Sequence, residues 1–105
     1  MQRATWNDAV IAESNDTAVV DGYTYFPEAD VHFAHLRESD RTSTCYWKGE
    51  ARYYDVIVDG EVNPAAAWYY PDPSPEATEA GVKGRIGFWR GVQIEADAPT
   101  EAQAR

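Results

Sequence analysis

Short runs rich in Val, Ile, Tyr, Trp and Thr recur along this chain, and each is closed within a few residues by Gly, Pro, Asn or Asp. β-branched and aromatic side chains suit a pleated, half-buried surface, so this punctuation predicts an all-β domain with at most short helical turns. Strands are expected at Ala9 to Glu13, Thr17 to Val20, Tyr23 to Phe26, His32 to Arg37, Ala51 to Val58, Ala65 to Tyr70, Val82 to Trp89 and Val92 to Glu95. Asp21-Gly22 and Asp59-Gly60 are hairpin signals, because both central positions of such a turn need positive φ. Glu38 to Thr42 reads as a polar loop. Ser74-Pro75 reads as a helix start, with Ser as the cap and Pro as the first helical residue, and Gly81 as its stop. Gly84 and Gly87 inside an apolar run imply a bulge or a close approach.

The 105 residues predict one domain, residues 1–95, followed by a disordered tail at 96–105, where Ala, Glu, Pro and Gln show no core pattern. Hydrophobic residues make up 44% and aromatic residues 13%, yet Leu36 is the single leucine, so a thin core with aromatic rims is expected. The formal net charge of −9 argues against nucleic acid or an anionic membrane as a partner, since both need a basic footprint. One cysteine excludes an internal disulfide, and with no signal pattern or membrane-length apolar run the expected location is the cytoplasm.

Rare residues concentrate in one stretch: Cys45-Tyr46-Trp47-Lys48-Gly49-Glu50-Ala51, with Tyr53-Tyr54 following. Together with Ile11-Ala12-Glu13-Ser14, Tyr25-Phe26-Pro27, Ala66-Ala67-Trp68-Tyr69-Tyr70-Pro71 and Gly87-Phe88-Trp89, it resembles domain of unknown function family 427, over about residues 6 to 95. Some classifications file that family as a nucleotidyltransferase domain. It is similar to the β-tent folds, which include cereblon's thalidomide-binding domain and methionine sulfoxide reductase B. The resemblance implies two antiparallel meanders packed at an angle around an aromatic-lined cleft. Many β-tent relatives clamp zinc with paired Cys-x-x-Cys motifs; one cysteine cannot build that site, and Tyr46 stands where the family commonly has proline. His32 and His35 would point to opposite faces of a strand, so no metal and no cofactor are expected.

Strand parity sorts the candidate residues. If Cys45 to Gly49 is extended, Cys45 and Trp47 share one face while Tyr46 and Lys48 share the other. In the next strand Arg52, Tyr54, Val56 and Val58 lie together, opposed by Tyr53, Asp55 and Ile57. The Val56 and Val58 face is expected to be core, which puts Tyr54 at the core edge or the cleft, with Trp68 and Tyr70, which lie together with Ala66 in the following strand, packed nearby. Trp47, Tyr54, Trp68, Tyr70 and Trp89 could form an aromatic cage for a cation or a flat ring, the acidic surface favouring a cation, although an aromatic core needs the same residues. Lys48 beside Gly49 could meet an anionic group, or simply pair with Glu50 or Asp55. Cys45 could be a nucleophile if a cation lowered its pKa; a buried small residue is the commoner state of such a thiol. Nucleotidyl transfer finds no Gly-Ser turn and no paired aspartates in a helix–strand setting. The leading expectation is a small molecule or peptide bound in an aromatic cleft by Cys45, Trp47, Lys48, Tyr54, Trp68 and Tyr70. An enzyme using Cys45 or Lys48 is the competing reading, and an interaction module, for example a homodimer through an exposed strand edge, is the third.

Overall fold

The computed structural model describes residues 1–96. Its strands are β1 (Gln2–Trp6), β2 (Ala9–Ser14), β3 (Ala18–Val20), β4 (Tyr23–Pro27), β5 (Leu36–Cys45), β6 (Gly49–Val58), β7 (Glu61–Tyr69), β8 (Arg85–Phe88) and β9 (Gln93–Ala96). One helix, α1 (Pro75–Ala80), and two 3-10 turns, Glu28–Asp30 and Phe33–His35, complete the elements. The strands form two sheets, β2-β1-β9 and β3-β4-β8-β7-β6-β5, with antiparallel pairing throughout. The all-β expectation therefore holds, with short helical turns only.

Local chemistry explains most boundaries. Asp21-Gly22 and Asp59-Gly60 both adopt positive φ (55° and 83°, 51° and 79°), as tight hairpins between right-twisted strands require. A third such turn, Asn7-Asp8, joins β1 to β2. Sequence patterning missed β1, because its one fully buried side chain is Ala4, too small to announce a core face. Ser74 caps α1 by accepting the Ala77 N–H at 3.0 Å, Pro75 begins the helix, and Gly81 closes it in the left-handed region.

Apolar side chains fill both faces of the large sheet. Between the two sheets lie Ala4, Ile11 and Ala12 from the small one, against Phe26, Val56, Ala67, Ile86 and Phe88 from the large one. On the opposite face Tyr25, Ala51, Tyr53, Trp68 and Tyr70 pack with Ala77 of α1 and Val82. Burial on both faces is unusual for an antiparallel sheet, which can leave one face to water.

Three expectations need correction. His32 to Arg37 does not form a strand: a 3-10 turn over Phe33–His35 intervenes, and the two imidazoles take up carbonyls, His32 Nδ1 donating to Val10 O and His35 Nδ1 to Ile57 O, each at 3.0 Å. Glu38 to Thr42 is no loop but the middle of β5, an edge strand whose free side faces water, which is why its residues are polar. Cys45 to Gly49 is not extended: Cys45 pairs with Gly49, and Tyr46, Trp47 and Lys48 form the turn between β5 and β6. The expected tail from Ala96 onward falls outside the described residues except for Ala96 itself, which ends β9.

Both neighbours of β6 carry two extra residues opposite its centre, β5 between Glu38 and Thr42 and β7 between Asn63 and Ala67. The β7 bulge holds Ala65 at φ 52°, a left-handed conformation costly for alanine. Asp55 supports it, its Oδ1 accepting the Ala65 N–H at 2.8 Å and its Oδ2 accepting from Arg37 at 3.0 Å. Asp55→Ala leaves that N–H without its acceptor and should cost about 1–3 kcal/mol in urea denaturation. Asp55→Asn, which keeps an oxygen at that place, should retain most of the stability; equal losses in both variants would show that the bulge does not depend on this bond.

Candidate functional site

The turn between β5 and β6 is clamped from below by the helix cap. The Ser74 N–H donates to Lys48 O at 3.0 Å and the Ser74 hydroxyl donates to Trp47 O at 2.7 Å. Gly49 (φ 111°) lets the segment 71–73 pass, since a Cβ there would stand 3.3 Å from Asp72 O. So held, the turn leaves Tyr46 98% exposed and directs Lys48 inward, where only 5% of it is accessible. The Lys48 ammonium donates to Asp21 Oδ2 at 2.5 Å and to Cys45 Sγ at 3.5 Å, and lies 4.5 Å from the Trp47 ring centroid.

Lys48 and Asp21 are the charged members of a cleft of about 170 Å3. Its remaining walls are the rings of Tyr23 and Tyr25 on β4, Tyr53 on β6, Trp68 on β7, and Tyr70 and Trp89 just beyond the strand ends. Trp68 is the hub. It meets Tyr23, Tyr25 and Trp89 edge-on at centroid distances of 5.0, 5.7 and 5.6 Å, and its Nε1–H donates to the Tyr25 hydroxyl at 3.2 Å. The indole can lie there because Gly87, its cross-strand partner, has no side chain: a Cβ would fall 2.7 Å from Trp68 Cζ2. Trp89 is fixed by its Nε1–H, which donates to Ala65 O at 2.7 Å, so the β7 bulge positions this wall as well.

Protonation follows from these contacts. The hydrogen bond from Lys48 holds the Asp21 carboxyl below its ordinary range. For Lys48, burial disfavours the charge, but the bond to Asp21, with Tyr70 and Cys45 nearby, outweighs it and raises the pKa. Burial raises the Tyr25 and Tyr70 phenols, which stay protonated as donors. At Cys45 burial would raise the thiol, yet the backbone N–H groups of Trp47 and Lys48 and the Lys48 ammonium prevail and lower it. The site offers ring faces, neutral phenols and one internally balanced ion pair.

The structure brings Lys48, Trp68 and Tyr70 to the cleft and places Cys45 and Trp47 against Lys48 just outside its lining. The parity that separated Cys45 from Lys48 does not apply, because a turn replaces the extended backbone it assumed. Tyr54 goes elsewhere: it faces the core between the sheets, stacked on Tyr69 at 5.2 Å and edge-on to Phe33 at 5.9 Å, its phenol pushed up to about 12 by burial and Tyr69. Tyr53 occupies the cleft in its stead, since cross-strand partners share a face and Tyr53 is paired with Trp68, Tyr54 with Ala67. Ala66 likewise faces the intersheet core rather than joining Trp68 and Tyr70, because the bulge shifts the alternation. Asp21, Tyr23 and Tyr25 were not singled out by sequence; the alternation of the two tyrosines after Asp21-Gly22 was the available signal. Among the described residues no three His, Cys, Asp or Glu side chains gather to hold a metal ion.

Gly87→Ala should cost roughly 1–3 kcal/mol by overpacking and displace the Trp68 indole N–H resonance, whereas Tyr54→Phe should leave that resonance in place. The ion pair gives a pH signature. A lowered Asp21 pKa contributes stability that is present above the ordinary carboxylate range and lost as pH falls through the lowered value. A raised Lys48 pKa contributes stability that is present below the ordinary lysine range and lost as pH rises through the raised value. Between those limits the Cys45 alkylation rate should titrate below an ordinary thiol, and Lys48→Met should move that midpoint upward; an unmoved midpoint would remove the ammonium as a cause.

No curated protein matches the chain. A family model described as a domain of unknown function (DUF427), carrying a nucleotidyltransferase-type filing in its short name, matches residues 1–98. That span contains every strand described, the clamped turn and the whole aromatic cleft. The chain thus belongs to the DUF427 family, a domain of unknown function.

Proposed function

We propose that this domain binds a small molecule with a planar ring in the aromatic cleft. The observation that carries the reading is the setting of Lys48: a nearly buried ammonium, balanced by Asp21, among tyrosine and tryptophan rings around an open volume. The ammonium is taken out of water while its Asp21 partner stays half exposed, and burying a charge costs stability, so its place here is better explained by recognition than by folding. The volume also suits a ring. A cavity of about 150 Å3 holds benzene, so about 170 Å3 admits one ring or a compact fused pair. A peptide could enter only through a single side chain. The ring faces supply stacking, and the protonated phenols with the Lys48–Asp21 pair supply donors and acceptors to a heterocycle edge.

Thiol chemistry at Cys45 is the second reading, favoured by one contact, the 3.5 Å from Lys48 Nζ to Cys45 Sγ. It ranks below ring binding because Cys45 does not line the cleft, so a molecule seated there is not presented to the sulfur.

Titration with a panel of single-ring heterocycles, followed through the tryptophan indole N–H resonances, tests the proposal. Ligands should shift Trp68 and Trp89 and raise the melting temperature in a dose-dependent way, with about 2.7 kcal/mol of added stability at a hundredfold excess over Kd. Tyr53→Ala should weaken binding and Tyr54→Phe should not. A panel that leaves both resonances unmoved, or a Tyr54 variant that weakens binding as much as the Tyr53 one, overturns it.

A further inference from the structure

We infer that the ring bound in this cleft carries an acidic group, received at the rim by the guanidinium groups of Arg41 and Arg90. The inference rests on the cleft reading above and adds the charge of the ligand to it.

The chain has 18 acidic residues and 9 lysines and arginines, so carboxylates are plentiful. Arginines in such a chain should find them, and most do: Arg3 pairs with Glu13, Arg37 with Asp55, Arg52 with Glu50 and Arg85 with Asp16. Among the described residues, Arg41 and Arg90 are the arginines with no carboxylate within ion-pair distance. Both instead lie over one ring of the cleft, their guanidinium carbons 5.9 and 4.7 Å from a Trp89 ring centroid, and Arg41 is also 5.0 Å from the Tyr53 ring centroid. They approach from distant parts of the chain, Arg41 from the β5 bulge and Arg90 from the turn between β8 and β9.

Their backbone is arranged for this. Arg90 has φ 56°, a conformation that disfavours a side chain with a Cβ, and is held in it by Asn63 Nδ2–H donating to its carbonyl at 2.8 Å. Its Nη1 donates to Pro64 O at 3.2 Å, which steers the guanidinium and leaves its other N–H groups for a ligand. Arg90-Gly91 is a tight turn of the same kind as Asp21-Gly22, with positive φ at both residues and the Val92 N–H donating to Trp89 O at 3.2 Å, and it sets Arg90 beside Trp89. Arg41 is brought over Tyr53 and Trp89 by the two extra residues of β5; a regular strand would pair straight past the cleft.

Lys48 does not take the acidic group. Asp21, half exposed, already neutralises it, while the uncompensated positive charge lies over the Tyr53 and Trp89 rings. The ligand that matches this pattern has its neutral ring inside and its anion outward. Guanidinium groups accept carboxylate and phosphate alike, both through paired N–H donors.

Two probe pairs separate the sources, phenylacetate against phenylacetamide and benzyl phosphate against benzyl alcohol, each titrated at low salt while the Trp68 and Trp89 indole resonances are followed. The anionic member of at least one pair should bind about tenfold more tightly than its neutral partner, the scale expected of a charge-assisted hydrogen bond, and added salt should narrow the gap. Arg41→Gln combined with Arg90→Gln should bring the two members together; both sites are exposed, and an unchanged melting temperature confirms the fold. Neutral members that shift the resonances as well as the anions do in both pairs overturn this inference and leave the cleft reading standing. Resonances unmoved by all four probes overturn both. An anion preference that survives the double variant also overturns the inference.

Discussion

Tyr53 stands opposite Trp68 across β6 and β7, and Tyr54 stands opposite Ala67. That register allots two adjacent tyrosines to opposite faces of one sheet, and the rest of the molecule follows from it. The face of Tyr54 closes on the small sheet as an ordinary core of valine, isoleucine, phenylalanine and alanine. The face of Tyr53 is covered only in part, by α1 and the segment before β8, and the uncovered part is the aromatic cleft. A slip of one residue would exchange the two sets and bury the cleft rings between the sheets.

A second layer of constraint comes from turns rather than strands. The hairpin at Asp21-Gly22 and the turn at Tyr46–Lys48 lie far apart in sequence, and the Lys48–Asp21 ion pair joins them across the cleft. Asp21 thereby has two uses, a backbone that accepts positive φ and a carboxylate that meets a buried ammonium. Ser74 likewise caps a helix and fixes the carbonyls of Trp47 and Lys48. Each of these residues is chosen by a local rule, and the site is made where the local rules meet.

Two bulges against the centre of β6 complete the arrangement. In β7 the extra residues bring Ala65 to Asp55 and to Trp89; in β5 they bring Arg41 over Tyr53 and Trp89. Regular strands would have given a flatter sheet face with the same composition. The irregularities thus fix Trp89 and set an arginine over Tyr53 and Trp89, on a chain that is otherwise strongly acidic.

The sequence by itself determined the fold class, the Asp-Gly hairpins, the cap and stop of α1, and the close approach at Gly87. These are local matters of φ preference, capping and side-chain size, which neighbouring residues reveal. It also marked Lys48, Trp68 and Tyr70 by their rarity and spacing. Parity put Tyr54 on the Val56 and Val58 core face, but the tertiary structure alone decided that Tyr53 rather than Tyr54 enters the cleft, because only the pairing of Tyr53 with Trp68 shows that the opposite face forms it. It decided that Cys45 meets Lys48, because three residues of turn can reverse what an extended strand would keep apart. It also decided that Asp21, Tyr25 and Trp89 line one cleft, since strand order and register between segments distant in sequence leave no trace in composition or period.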